Sequence, residues 1–231
     1  MQKAKYEYIK FLLLSLVYLS VVLFYSGCGV IQTLSTPSSQ EEVIEAEYDL
    51  GQDSEQVILV LVEQPGWLGA KVNLRYYITE AVNSELIEKV EYLDKNLISY
   101  ESLSGYRSDN SNFSRLSKAE IGRALGADMV LLIMLEDYKY QEMANTGYYK
   151  SYLAAESVLV DTVDGSKIWP DAEETKSIKV GFEIGSKSEA AAKRLSAALT
   201  HCVVRYLYDC PKNKFKISAD KSDISWQIWG F

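Results

Sequence analysis

Two runs of consecutive apolar residues constrain the fold of this 231-residue chain more than any other feature. Val57–Val62 has six apolar residues in a row, and Met129–Leu135 has seven. Runs of this length without polar alternation are typical of strands that are covered on both faces of a sheet. The sheet that contains them therefore needs helices packed on it, as in a layered α/β domain.

Three segments predict helices around these strands. Apolar residues recur at helical spacing between residues 70 and 90. Ser117 and Glu120 have the spacing of a capping box, which predicts a short helix over residues 118–125 that stops at Gly126. Residues 186–189 have the same spacing and predict a long helix that ends near Tyr208.

The remaining strands follow from apolar and alternating patterns. The segments are Asn96–Ser99, Glu136–Gln141 as an extension of the second run, Tyr148–Val163, Lys167–Trp169 and Lys176–Ile184. Asp164-Gly165 is a hairpin signal between two of them, whereas the polar residues 104–115 predict a loop. The predicted fold is one α/β domain in the order β-α-β-α-β-β-β-β-α, with a mixed sheet of five or six strands.

The first 28 residues have the pattern of a secretion signal. Lys3, Lys5 and Lys10 precede an apolar run over residues 11–24, and Ser26-Gly27-Cys28 follows. A basic start, a short apolar run and small residues before a cleavage point are the marks of such a signal. The apolar run is shorter than the roughly 20 residues that a membrane-spanning helix needs. An uncleaved membrane helix, or a plain signal with an incidental cysteine, remains the alternative.

Small residues directly before Cys28 resemble the lipobox of bacterial lipoproteins, although Tyr25 stands where that family usually has leucine. The resemblance implies cleavage before Cys28, a diacylglycerol on its thiol and acylation of the new amino group. Gly29 after the cysteine resembles the default sorting to the periplasmic face of the outer membrane. The predicted organisation is a signal peptide at 1–27, a disordered tether at 28–55, a periplasmic domain at 56–210 and an aromatic tail at 211–231.

Charge and cysteine content limit the classes of partner. The net charge of −8 argues against nucleic acid and against an anionic membrane surface. Cys202 and Cys210 are eight residues apart, about 12 Å along a helix, whereas a disulfide needs Cα atoms within about 7 Å. We expect two free cysteines, one of them buried, unless the helix folds back before Pro211.

Two passages resemble a family of periplasmic domains. Ile121–Leu131 has a helix, a Gly-Ala-Asp turn and a strand, and Val160–Trp169 has a strand that ends in Val-Asp, turns through glycine and returns to tryptophan. Both resemble the curli-assembly lipoprotein CsgG, the penicillin-binding-protein activator LpoB and the TolB amino-terminal domain. The resemblance implies a protein that binds and assembles partners without known catalysis. Lys139, Glu142 and Lys150 interrupt the hairpin that would face lipid in a curli-type pore, so a partner-binding module is favoured.

Candidate catalytic patterns are incomplete. Gly181–Ser188 misses the phosphate-binding loop G-x-x-x-x-G-K-[ST] because Ser186 replaces the glycine before Lys187. His201 is the one histidine, and the acid pairs Glu41-Glu42, Glu136-Asp137 and Glu173-Glu174 have no partner that the sequence can identify. Metal-ligand spacings are absent from the sequence. We therefore expect no cofactor, no metal and no enzyme activity.

Aromatic residues supply the hypothesis for a binding site. Tyrosine has an apolar ring and a polar tip, which suits both packing and protein interfaces. Tyr76 and Tyr77 share this property, but the predicted partner-binding residues are those of the hairpin and the tail: Tyr138, Tyr140, Tyr148, Tyr149, Tyr152, Trp226 and Trp229. The first hypothesis is an anchored module that binds an envelope protein. The alternatives are a homo-oligomeric secretion-channel subunit, and a hydrolase or nucleotide-binding protein.

Overall fold

The computed structural model describes residues 42–53, 55–92, 94–144, 147–184 and 187–215. These residues contain seven strands and five α-helices. The strands are β1 (Val43–Ile44), β2 (Ile58–Glu63), β3 (Met129–Glu142), β4 (Tyr149–Asp161), β5 (Lys167–Trp169), β6 (Lys176–Ile184) and β7 (Cys210–Pro211). The helices are α1 (Leu74–Lys89), α2 (Tyr100–Asp109), α3 (Lys118–Ala124), α4 (Ser188–Val204) and α5 (Lys212–Phe215).

The main sheet has five strands and confirms the predicted α/β class. β2 and β3 run parallel, with Ile58 opposite Met129. β4 runs antiparallel to β3, and its other edge pairs first with β6 and then with β5. The sheet is therefore mixed, in the order β2-β3-β4, with β5 and β6 sharing the last position.

Helices cover both faces of the two apolar strands, as their unbroken sequences predict. Leu131 and Ile133 of β3 belong to a core that includes buried residues of α1 and α4. Val130 and Leu132 point the other way, into a second core that includes Leu103 of α2 and residues of α3. Successive side chains of a strand point to opposite faces, so every residue of these runs finds an apolar environment.

The predicted start and stop of the short helix α3 are confirmed. The Ser117 hydroxyl accepts the backbone N–H of Glu120, and the Glu120 carboxylate accepts the backbone N–H of Ser117 at 2.7 Å. These bonds lower the pKa of Glu120 below its ordinary value. Gly126 follows with a φ of 76°, the left-handed conformation that ends helices and favours glycine.

The structure differs from the predicted tether, because residues 42–53 pack onto the domain. β1 pairs antiparallel with β7, and Leu50 is fully buried. The Glu47 carboxylate accepts hydrogen bonds from Trp169 Nε1 at 2.9 Å and from Lys176 Nζ at 2.7 Å. The segment is polar in overall composition, so the sequence predicted disorder. Its few apolar residues pack against residues such as Leu207 and Cys210, which lie more than a hundred positions away in the sequence.

Two other predictions were wrong. Asn96–Ser99 is not a strand, since it contributes only a single bridge between Leu97 and Ile58. The predicted loop at 104–115 contains most of α2, which begins where the Ser99 hydroxyl accepts the backbone N–H of Ser102. This helix packs on the sheet through the buried Leu103 and the partly buried Tyr106, which both belong to the second core.

The last long helix, α4, also differs from its predicted bounds. Its N-cap is Lys187, without a side-chain capping bond, and Ser186 lies outside the described residues. The helix ends at Val204 because the chain turns to place Leu207 and Cys210 in the core and to form β7. Cys202 and Cys210 are both free, as predicted, but both are buried instead of one, because Cys210 also lies in the core. Within the described ranges, none of the helices combines the length and the apolarity needed to cross a membrane.

Candidate protein-binding surface

The β3–β4 hairpin extends beyond the covered part of the sheet. β2 ends at Glu63 opposite Met134, whereas β3 continues to Glu142 and pairs with β4 throughout. Among the described residues, no strand pairs with the outer edge of β3 after Met134. A β-bulge at Glu136 separates the two halves, because Leu135 lies opposite Ala155 and Asp137 lies opposite Ala154. This half of β3 therefore has a backbone edge that no described strand pairs with, which is the kind of edge to which an extended segment can add.

The predicted tyrosines fall into two groups on opposite faces of this hairpin. The rings of Tyr140 and Tyr149 stack face to face, with centroids 4.6 Å apart and planes 4° apart. Tyr138 shares their face and packs against the main core, where burial raises its pKa. Tyr152 faces the other way, with Lys139 Nζ 5.7 Å from its ring centroid. Tyr148 precedes β4 and is 60% exposed, while the predicted Trp226 and Trp229 lie outside the described residues.

A second aromatic group lies at the start of α1. Tyr76 makes edge contacts with Tyr77 at 5.5 Å and with Tyr100 at 5.3 Å between ring centroids. Tyr76 is 39% exposed, and Trp67 in the preceding turn is 72% exposed. The Tyr100 hydroxyl accepts a hydrogen bond from Asn73 Nδ2 at 2.9 Å, which orients the group. The sequence alone did not identify this group as a site, because aromatic residues at helical spacing are typical of a core.

Both aromatic groups lie at one end of the sheet. Tyr149 pairs with Ile184, the last residue of β6, and α4 begins at Ser188. In that first turn of α4, the Glu189 carboxylate accepts a hydrogen bond from the Tyr77 hydroxyl at 2.9 Å. We name this region the aromatic end and define it by its members: Trp67, Tyr76, Tyr77, Tyr100, Tyr140, Tyr148 and Tyr149.

A hydrogen bond and a nearby charge hold Tyr77 of the aromatic end in place. The bond to Glu189 raises the pKa of Tyr77, and the same bond lowers the pKa of Glu189. Lys193 lies one turn further along α4 and places its Nζ 5.5 Å from the Tyr77 ring centroid. Rings held in this way lose little conformational freedom when a partner covers them. The arrangement is therefore suited to binding.

His201 lies at the contact between α4, α1 and α5. Its Nδ1 lies 3.1 Å from Glu85 Oε1 of α1, and its Nε2 lies 2.8 Å from the carbonyl oxygen of Lys214 in α5. The residue therefore links three helices. Burial raises the pKa of the neighbouring Cys202 to about 11, which disfavours a reactive thiolate. No cluster of metal-ligating side chains occurs among the residues that the structure describes.

We expect His201→Ala to lower the free energy of unfolding by about 1.5 kcal/mol, because it leaves the buried side chain of Glu85 without its hydrogen-bond partner His201. Urea denaturation measures the change. A double-mutant cycle with Glu85→Ala isolates the interaction between the two side chains. Additive effects of the two substitutions would show that the link between α1 and α4 contributes nothing.

Comparison with known proteins gives likeness in structure only. No protein-family model matches the chain, and no curated protein sequence matches it. The lipoprotein GNA1162 from Neisseria meningitidis is 16% identical with a TM-score of 0.41, over 64% of this chain and 98% of its own. The LpoB C-terminal domain from Salmonella enterica is 18% identical with a TM-score of 0.34, over 66% and 91%. A PelC dodecamer from Paraburkholderia phytofirmans is 15% identical with a TM-score of 0.34, over 72% and 93%.

Proposed function

We propose that this protein is a non-catalytic lipoprotein, anchored through Cys28 at the periplasmic face of the outer membrane, which binds an envelope protein through its aromatic end. The anchor rests on the basic, apolar and small-residue pattern that precedes Cys28. The binding role rests on the structure of the domain. Its main support is the stacked pair Tyr140 and Tyr149, on a hairpin that projects beyond β2.

The stacked pair favours a protein partner for physical reasons. Tyrosine is enriched at protein interfaces, where a rigid ring buries apolar area and its hydroxyl keeps a hydrogen bond. Tyr148 and Met143 at the end of the hairpin are exposed hydrophobic residues, so a partner can remove their apolar surface from water. The open edge of β3 adds backbone donors and acceptors that fix the direction of a bound segment.

Site-specific crosslinking in cells tests where the partner binds. A photo-crosslinking amino acid at position 148 should capture one discrete envelope protein. The same amino acid at Val163 is the matched control, because Val163 is 79% exposed but lies in the turn at the opposite end of β4. Equal capture from both positions, or capture from Val163 alone, would contradict the assignment of the surface.

The double variant Tyr140→Ser/Tyr149→Ser tests the energetic contribution of the stack. We expect it to weaken binding of the captured partner by about thirtyfold or more, the loss of roughly 2 kcal/mol that defines an interface hot spot. Co-purification of the crosslinked partner measures the loss. Tyr152→Ser removes a tyrosine from the same hairpin but from its opposite face, and we expect it to retain binding. Undiminished co-purification with the double variant would refute the role of the hairpin.

A further inference from the structure

The half of the main sheet beyond the bulge at Glu136 has an unpaired strand edge on each side. β4 pairs with β3 along one of its edges and with β6 along the other. Among the described residues, no strand pairs with the outer edge of β3 after Met134, or with the outer edge of β6 over its nine residues. Such edges can pair with a strand of another chain, unless charges or covering elements prevent it. This half of the sheet therefore has two edges for pairing, which face in opposite directions.

The two edge strands carry opposite net charges. From Glu136 to Glu142, β3 has three acids and one lysine, a net charge of −2. β6 has two lysines and one glutamate, a net charge of +1. Two β3 edges, or two β6 edges, would therefore repel each other, whereas a β3 edge and a β6 edge attract. Charges that only protected a single copy from pairing would have the same sign on both edges, so the opposite signs favour pairing of unlike edges.

Opposite charges on the two edges lie in one row of paired residues and on one face of the sheet. Ala154 of β4 pairs with Asp137 on β3 and with Lys179 on β6. In the neighbouring row, Leu135 and Ile178 point into the main core. Because neighbouring rows of a sheet point to opposite faces, Asp137 and Lys179 both point away from that core. A copy placed beside this one in the plane of the sheet would bring an acid and a lysine to the same row.

Glu136 and Lys179 are available for contacts between copies. Both side chains are exposed, and neither forms an ion pair within the described ranges. Asp137 differs from them, because its Oδ2 lies 2.8 Å from Lys139 Nζ. Trp67 is 72% exposed and lies in the turn that contacts β3, so it adds apolar area beside this strand.

We propose that the outer edge of β3 in one copy of this protein pairs with the outer edge of β6 in a second copy. β3 and β6 both run antiparallel to β4, so a lateral repeat of the domain joins them as parallel strands. Because each copy contributes a different edge, the contact repeats from copy to copy and generates a ring or a filament. The proposal deepens the function proposed above and rests on its use of the β3 edge. It leaves the face that carries the stacked Tyr140 and Tyr149 to the envelope partner.

Charge reversal in the full-length protein in detergent tests the pairing, with sedimentation velocity as the measure of self-association. We expect Glu136→Lys and Lys179→Glu each to weaken self-association by about tenfold or more, because repulsion replaces attraction at the contact. The double variant Glu136→Lys/Lys179→Glu exchanges the signs of the two edges within each copy, so it should associate nearly as well as the wild type. Restored association in the double variant also shows that the single variants did not fail through misfolding.

Lys95→Glu is the matched control for the effect of net charge. Lys95 is also exposed, but it lies in the turn after α1, close in sequence to Leu97, which bridges to Ile58 at the start of β2. We expect this variant to associate as the wild type does. A wild type that stays monomeric at all concentrations, or a double variant that associates no better than the single ones, would overturn the proposal.

Cysteine crosslinking tests the same contact independently of charge. Asp137→Cys and Lys179→Cys each add one thiol at one edge, whereas Cys202 and Cys210 are buried, and the wild type serves as the reference for background. We expect the two single variants to form a disulfide-linked dimer when they are expressed together and oxidised, and neither to form one alone, because the contact joins unlike edges. A dimer from either variant alone, or a crosslink from position 137 to an envelope protein in place of a second copy, would contradict the proposal.

Photo-crosslinking from position 148 separates failure of this proposal from failure of the function proposed above. Lys179→Glu leaves the tyrosines of the hairpin unchanged, so it should still capture the envelope protein while it loses self-association. Capture by a wild type that stays monomeric would overturn the pairing alone. Self-association without capture would overturn the envelope-binding role and support the pairing.

Discussion

The Cys28→Ser variant is expected to incorporate no labelled palmitate and to leave the membrane fraction. A serine hydroxyl cannot form the thioether through which diacylglycerol attaches, so the substitution removes every acyl chain of the proposed anchor. Each buried CH₂ group contributes about 0.8 kcal/mol, and two or more chains are needed for stable anchoring. Metabolic labelling with palmitate, followed by separation of membranes from soluble protein, measures both effects. Cys28 lies outside the described residues, so this prediction depends on the sequence pattern alone.

The other cysteines provide matched controls for this substitution. Cys202 is buried in α4 and Cys210 is buried in β7, so neither thiol is accessible for acylation in the folded domain. We expect Cys202→Ser and Cys210→Ser to incorporate palmitate at the wild-type level. Label retained by Cys28→Ser, or an intact Met1 in the mature wild-type protein, would contradict the lipoprotein assignment.

Because residues 42–53 belong to the domain, the segment between the proposed anchor at Cys28 and the domain is shorter than predicted. Only residues 28–41 remain between Cys28 and the first described residue, Glu42. Fourteen residues, counted from 28 to 41, span at most roughly 50 Å when fully extended.

Much of the fold could be predicted because the patterns that mark its strands and helices involve residues close together in the sequence. The unbroken apolar runs of β2 and β3, and the reciprocal Ser117–Glu120 capping bonds, require only neighbouring residues to be recognised. The segment at 42–53 could not be predicted in this way. Its order depends on distant partners, such as the Glu47 carboxylate that binds Trp169 and Lys176. Such contacts exist only once the sheet has formed.

The candidate surface could also be predicted only in part. Sequence predicted that the hairpin is rich in tyrosine, but not which rings share a face. Leu135 faces the main core, and the bulge at Glu136 shifts the alternation, so Tyr138 and Tyr140 also face that side. Without the extra residue they would lie on the side of Tyr152. A bulge of this kind leaves no clear mark in the sequence, yet it determines the stacking of Tyr140 on Tyr149.

Gly122→Ala is expected to lower the free energy of unfolding by about 2 kcal/mol, although alanine is the better helix former. Gly122 lies on the side of α3 that packs on the sheet. A Cβ atom there would lie 2.5 Å from Thr162 Cγ2 and 2.7 Å from Val130 Cγ2. Neither side chain can move easily, because Val130 is fully buried and the Thr162 hydroxyl donates to the carbonyl oxygen of Ala127 at 2.8 Å.

The glycine of the neighbouring helix makes the prediction specific. Gly105 lies in α2 with open space around the position of a Cβ atom, so Gly105→Ala should stabilise the protein by about 0.5–1 kcal/mol through helix propensity alone. Urea denaturation should therefore shift the two midpoints in opposite directions with unchanged slopes. Shifts in the same direction would mean that the close approach of α3 to β3 does not limit the residue at position 122. Opposite shifts would establish that Gly122 is needed for the packing of α3 on the sheet.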